Sequence, residues 1–121
     1  MLFRSRSTPA LPHPEDLDHL ALPAWDLLPG FPDAYPPAIY DFPRHPVATI
    51  AASRGCPFRC RFCDTSTFGA RVRAYSPERM LEILQELQTR YGIRHVMFVD
   101  DLFLASRRRT QRLCEIGRAH V

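Results

Sequence analysis

Between Arg54 and Asp64 the chain reads RGCPFRCRFCD, which places Cys56, Cys60 and Cys63 at a C-x3-C-x2-C spacing within eight residues. The fourth cysteine, Cys114, stands far along the chain. Thiolates at that spacing can converge from one short loop onto one metal centre. Gly55 permits a tight turn into the loop, and Pro57 and Phe58 shape its first segment. Four-thiolate sites are closed, whether on structural zinc or on a fully ligated iron–sulfur cluster. Three thiolates on a cubane cluster leave one iron without a protein ligand, open to a substrate or cofactor. Two other chemistries use the same residues. A zinc site would need Cys114 or a histidine as fourth ligand, and no second C-x2-4-C knuckle exists to supply the usual pairing. A thioredoxin-like dithiol from Cys60 and Cys63 would leave Cys56 without a role.

The elements around the loop must hold it in place. VATIAAS, from Val47 to Ser53, is a short, nearly continuous apolar run that predicts a strand buried on both faces of a parallel sheet. SPERMLEILQELQTRYG predicts a helix with both ends marked. Ser76 is the N-cap, Pro77 fills the first helical position, Glu78 favours the positive end of the dipole, and Gly92 terminates it. Met80, Ile83, Leu84, Leu87 and Tyr91 form one apolar stripe. RHVMFVDD predicts a second strand ending in two acids, and LFLASRRRTQRLCE begins another helical pattern. Strand, loop, helix, strand is a βαβ unit, whose strands lie parallel through a right-handed crossover. One such unit cannot cover both faces of its sheet, so the chain reads as part of a larger α/β domain, either doubly wound or a barrel. In both, the cysteine loop and the pair Asp100–Asp101 fall at the C-terminal ends of neighbouring strands, where α/β domains place their sites.

Composition bounds the rest. The chain has 121 residues, a 45% hydrophobic fraction and a net charge of +3, enough for one small domain with a core. No run approaches the ~18 apolar residues of a membrane span, and the N-terminus has no apolar signal-like segment. The expectation is a cytoplasmic protein, in which clustered cysteines serve metal or redox chemistry. All sixteen basic residues are arginine, which matches GC-rich coding bias, so arginine content is weak evidence for nucleic acid. Arg107-Arg108-Arg109 reads as a solvated helix face. Ten of the twelve prolines precede Val47, and no long helix or strand survives that frequency. Leu17, Leu20, Leu22, Trp25, Leu27, Leu28, Phe31, Tyr35 and Tyr40 punctuate the same stretch, so residues 1–46 are expected to form an extended arm packed on a domain surface, with Trp25 as an anchor. EIGRAHV breaks the helical pattern and matches the in-frame translation of a common sequencing adapter. Residues 115–121 are therefore expected to be non-native, and residues 47–114 to carry the domain.

Cys56-x3-Cys60-x2-Cys63, with Phe62 just before the last cysteine, resembles the radical S-adenosylmethionine (SAM) superfamily. LDHLALPAWDLLP, ASRGCPFRCRFCDTSTFGARVRAYSPERM and YGIRHVMFVDDLF, in that order, are similar to the start of the radical domain in members that carry a cobalamin-binding domain. The resemblance implies a [4Fe–4S] cluster on Cys56, Cys60 and Cys63, with SAM chelating the fourth iron and being cleaved reductively to a 5′-deoxyadenosyl radical. It implies that Phe62 contacts the adenine. It also places Asp100 and Asp101 where relatives have a Gly-Gly-Glu-like segment gripping the methionyl amino group, although VDDLF departs from that pattern. The implied fold is the first βαβ portion of a partial (β/α) TIM-like barrel behind a proline-rich arm. The implied partners are a small-molecule substrate and an electron donor such as flavodoxin or ferredoxin, with cobalamin in a further domain and methyl transfer as the reaction. A barrel needs roughly 200 residues or more, so this stretch is expected to be inactive by itself.

The competing expectation is a small zinc-binding module that meets nucleic acid or protein through its arginines. Cys114 is expected to be a buried thiol and His95 a packed histidine, and no role is assigned to His13, His19, His45 or His120. The acids of Asp100–Asp101 could instead cap the following helix. Arg54, Arg59, Arg61, Arg71 and Arg73 make the loop basic, either to offset an anionic cluster or simply to meet solvent.

Overall fold

A computed structural model describes residue 9, residues 11–37, residue 42, residues 44–64 and residues 66–119. Tyr40 and the last two residues of the chain, His120 and Val121, lie outside the described residues, as do the first eight.

Strand β1 (Val47–Ile50) pairs in parallel with β4 (His95–Phe98), in the register Val47 with His95 through Ile50 with Phe98. The crossover between them runs through helix α1 (Pro77–Tyr91), so the βαβ unit read from the sequence is present. The strand is shorter than VATIAAS, and Thr49 within it is exposed. Two further strands have no mark in the sequence: β2 (Ser53–Arg54) and β3 (Arg73–Ala74) pair antiparallel, closing the base of the cysteine loop. Helix α2 (Arg107–Ala119) follows β4 after a 3-10 turn at Phe103–Ala105. It continues through Glu115–Arg118, where the sequence pattern suggested a break.

Helix α1 forms for the local reasons its sequence states. The Ser76 hydroxyl accepts from the Arg79 N–H at 3.0 Å, and Gly92 adopts φ +66° while its N–H returns to the Gln88 carbonyl. The apolar stripe buries Met80, Ile83 and Leu87 against Ala48, Ile50, Ala52 and Ile93. Full burial of each large side chain contributes about 1.5–3 kcal/mol. Leu113 of α2 joins the same core.

The arm belongs to that core. Leu17 is 0% exposed and Trp25 is 8% exposed. Trp25 stacks on Phe31 with ring centroids 6.4 Å apart and meets the edge of Tyr91 at 6.0 Å. Polar ties accompany the packing. The Asp18 carboxylate accepts the Ser76 N–H at 2.8 Å, adding a negative charge at the positive end of α1, and the Arg79 guanidinium donates to the Leu20 carbonyl at 2.8 Å. Leu27, Leu28 and Tyr35 are exposed, so the apolar punctuation marks contact points rather than a continuous seam.

Leu17→Ala is therefore expected to destabilise the protein by about 2–5 kcal/mol, the range for a fully buried leucine, read as a lowered urea midpoint. An arm that were merely a tether would leave the midpoint within ~0.5 kcal/mol of wild type, as surface substitutions do.

Candidate functional site

The cysteine loop occupies residues 55–72, between β2 and β3, and leaves the sheet beyond the C-terminal end of β1. Its root is fixed by glycine. Gly55 adopts φ +89°, and a Cβ built there would lie 2.2 Å from the Arg71 carbonyl oxygen. The two legs of the loop thus approach more closely than any side chain permits. One residue on, the Cys56 N–H donates to the Gly69 carbonyl at 3.3 Å. Further out, a turn closes from the Cys63 N–H to the Cys60 carbonyl at 3.1 Å. Asp64 then folds back on Ser66, accepting its N–H and its hydroxyl, both at 2.8 Å. Those two donors hold the Asp64 carboxyl below the usual carboxylate range.

All four cysteines are free thiols. Cys56 is half-buried at the root, whereas Cys60 and Cys63 are exposed on the turn. The three share a loop without converging: among the described residues, no group of three His, Cys, Asp or Glu side chains is arranged to hold a metal ion. Phe62 is 93% exposed, and Phe58 is exposed as well, so neither ring holds the loop's shape by packing. Cys114, expected to be buried, is exposed on α2. His95 is a packed residue, its ring 4.8 Å from that of Phe42.

Arginine holds the returning leg. Arg73 is 7% exposed and donates to the carbonyls of Phe68, Arg71 (3.4 Å) and Pro14 (3.1 Å), joining the loop to the arm. This corrects its assignment to a solvated or charge-offsetting basic patch. Arg71 remains at the surface, paired with Glu15 at 3.0 Å, and Arg54 lies 5.8 Å from the Phe68 ring.

Asp100 and Asp101, adjacent in sequence, are differently placed. Asp100 reaches across from the end of β4 and accepts the Ala52 N–H at 3.0 Å and the Ser53 hydroxyl, while Asp101 is exposed. Neither is seen capping α2, whose first turn is bonded instead by the Ser106 hydroxyl, accepting from the Arg109 N–H at 3.3 Å. Beside Asp100 lies Arg109. It does not join a solvated face with Arg107 and Arg108: it donates through Nε to the Tyr75 carbonyl at 2.8 Å and through Nη2 to the Ala52 carbonyl at 3.0 Å. Its guanidinium carbon sits 5.9 Å from the Phe103 ring centre. Burial pushes the Arg109 pKa down, against the opposing charges of Asp100 and Asp18, and the guanidinium stays protonated. Nothing in an Arg-Arg-Arg run distinguishes the third arginine. The only local signal is that it stands three residues after a helix-capping serine.

The donor set suits an iron–sulfur cluster chemically. Three soft thiolate donors lie on one loop, free of disulfides, and two of them are open to solvent. A βαβ unit thus sets this loop beyond one strand and an acidic pair beyond its parallel neighbour, the arrangement of a mixed α/β protein with parallel strands. The radical SAM superfamily matches residues 50–119, more than half of the chain, and the chain belongs to that superfamily. It is 38% identical to an uncharacterized methyltransferase of Pyrococcus horikoshii over 86% of this chain and 21% of that protein. It is 38% identical to the hopanoid C-2 methylase of Rhodopseudomonas palustris over 51% of this chain and 12% of that protein. It is 27% identical to the anaerobic magnesium-protoporphyrin IX monomethyl ester cyclase of Cereibacter sphaeroides over 90% of this chain and 17% of that protein. The chain thus spans about a fifth or less of the length of these relatives. No solved structure matched it.

Two glycine substitutions test the root of the loop. Gly55→Ala should cost about 2–4 kcal/mol from backbone strain plus the clash with Arg71 and should speed proteolytic cleavage within residues 55–72. Gly92→Ala has a similar φ, +66°, but nothing within 4 Å of its Cβ, so it should cost about 1 kcal/mol and leave the cleavage rate unchanged.

Proposed function

We propose that this chain is the opening segment of a (β/α) barrel in a radical SAM enzyme, with Cys56, Cys60 and Cys63 holding a [4Fe–4S] cluster. The observation that carries this reading is the placement of three free thiols on one glycine-rooted loop beyond β1, beside the acidic end of the parallel strand β4. Bound there, the cluster supplies one-electron reductive cleavage of SAM. The chain's own residues bind and orient. The three thiolates leave one iron for SAM, Phe62 offers an uncommitted ring and backbone to the adenine, and Asp101 offers a free carboxylate to the methionyl amino group. Asp100, already engaged by Ala52 and Ser53, contributes to the same region chiefly by holding the loop.

The reaction we favour is methyl transfer to a small-molecule substrate, because several relatives are named as methyltransferases or methylases. The resemblance of the arm and loop to cobalamin-associated members adds cobalamin as a second cofactor in a domain outside this segment. Electrons would come from a flavodoxin or ferredoxin. Among the described residues no helix is long and apolar enough to cross a membrane, and we place the protein in the cytoplasm. No feature favours the zinc-module reading.

The test is anaerobic reconstitution of the intact protein with iron and sulfide, followed by electron paramagnetic resonance of the reduced sample with and without SAM. The expected result is a cubane signal that changes on adding SAM. It should be lost in Cys60→Ala and retained in Cys114→Ala, whose thiol is exposed on α2, away from the loop in sequence. Zinc uptake without a cluster in a folded sample would overturn the reading.

A further inference from the structure

The root of the cysteine loop is tied to the rest of the molecule by side chains that the cluster and SAM do not themselves require. The outgoing leg passes through Ala52 and Ser53, and the returning leg through Ala74 and Tyr75. These legs bond to each other, the Tyr75 N–H donating to the Ala52 carbonyl at 3.0 Å. That bond and the short β2–β3 ladder hold the legs together but do not orient the pair relative to β4. Two side chains do. Asp100, two residues past β4, takes the Ala52 N–H and the Ser53 hydroxyl. Arg109, in the first turn of α2, spans both legs with one fork, Nε on the Tyr75 carbonyl and Nη2 on the Ala52 carbonyl. The two side chains meet at Ala52, the carboxylate on its N–H and the guanidinium on its carbonyl.

We infer that Arg109, acting with Asp100, is a positioning residue that sets the cysteine loop against the end of β4 in the geometry SAM needs to bridge them. The inference rests on the function proposed above. A ligand held at one end by a cluster iron and at the other by groups beyond β4 is sensitive to the offset between the two platforms. Small misplacements of reacting groups are costly even when every group is present. Lysine cannot replace the fork: its ammonium is a point charge that reaches one carbonyl well and has no planar edge to span two. A side chain without donors would remove the Arg109 bond from the Tyr75 carbonyl and leave the Ala52 carbonyl with the Tyr75 N–H alone.

The experiment uses the intact, reconstituted protein as wild type, Arg109→Met, Arg109→Lys and Ser53→Ala. Iron and sulfide content, the SAM-dependent change in the electron paramagnetic resonance spectrum titrated to an apparent Kd, and amide hydrogen exchange of the metal-free protein are read for each. Arg109→Met is expected to keep its iron and sulfide, to weaken SAM binding about tenfold or more through loss of two charge-assisted bonds, and to speed exchange at Cys56 and Tyr75 while the middle of α1 stays protected. Arg109→Lys should recover part of the affinity. Ser53→Ala, which removes one donor to Asp100 without touching the buried charge, should weaken SAM about threefold. If Arg109→Met does not fold, Arg109→Lys and Ser53→Ala decide the matter, and wild-type affinity in both overturns the inference. A wild-type protein with no SAM response would overturn the functional reading and this inference with it. A wild-type response that Arg109→Met leaves unchanged overturns this inference alone.

Discussion

The peptide units flanking Ala52 are where the parts of this molecule meet. Ala52 is fully buried, and both of its backbone polar groups are committed: the N–H to Asp100, the carbonyl to the Tyr75 N–H and to Arg109. The ends of β1, β3 and β4 and the start of α2 are therefore joined through one residue. Burial makes that junction strong, because a buried N–H or carbonyl left without a partner costs about 1–3 kcal/mol. Each element supplying a partner is held in register by that cost. The side chain at position 52 is fully buried as well, in the same core as Ile50, Tyr75 and Met80.

A loop that presents three cysteines has little else with which to shape itself. Its phenylalanines at 58 and 62 face solvent, a backbone bond closes the turn at Cys60–Cys63, and Asp64 accepts from Ser66. Shape is imposed at the boundary instead. Gly55 lets the legs nearly touch, Arg73 gathers three carbonyls from the returning leg and the arm, and Arg109 gathers two more across both legs. The same residue type thus serves as a carbonyl collector on both sides of the root, a role suited to a planar cation with several donors and a low hydration cost. Two of the three thiols, Cys60 and Cys63, stay exposed at the tip of the loop so framed.

Legibility in the sequence followed the range of the interaction. Helix α1 was readable to the residue, because Ser76, Pro77 and Gly92 act on their immediate neighbours and the stripe from Met80 to Tyr91 repeats within a few turns. The parallel pairing of β1 and β4 followed from the order of elements, and the anchoring of Trp25 from an apolar residue in a proline-rich run. The hairpin of β2 and β3 was not readable, since strands of two residues each are too short to show alternation. Nor were the partners of Asp100, Arg73 and Arg109, each of which lies dozens of residues away for at least one bond. An arginine that collects buried carbonyls and one that faces water have the same local context. Cys114 was misplaced because Leu113 takes the core-facing position of α2 and the thiol next to it turns outward.

The arm shows why the packing of this small α/β piece depends on more than its βαβ unit. Two parallel strands and their crossover helix bury one face of the helix but leave its N-terminus and the loop's returning leg uncovered. Leu17 fills the first gap as a fully buried side chain, and Asp18, its neighbour, caps the N–H of Ser76 at the positive end of α1. A few residues earlier, the Pro14 carbonyl receives Arg73 and Glu15 receives Arg71, so the same strap reaches the loop. Prolines suit such a strap. A segment that presents carbonyls outward and enters no ladder loses little by lacking N–H donors, and its restricted backbone has less entropy to lose on docking. Helix start, loop return and arm therefore form one continuous set of contacts, and displacement of the arm would be felt at Arg73 and hence at the root of the cysteine loop.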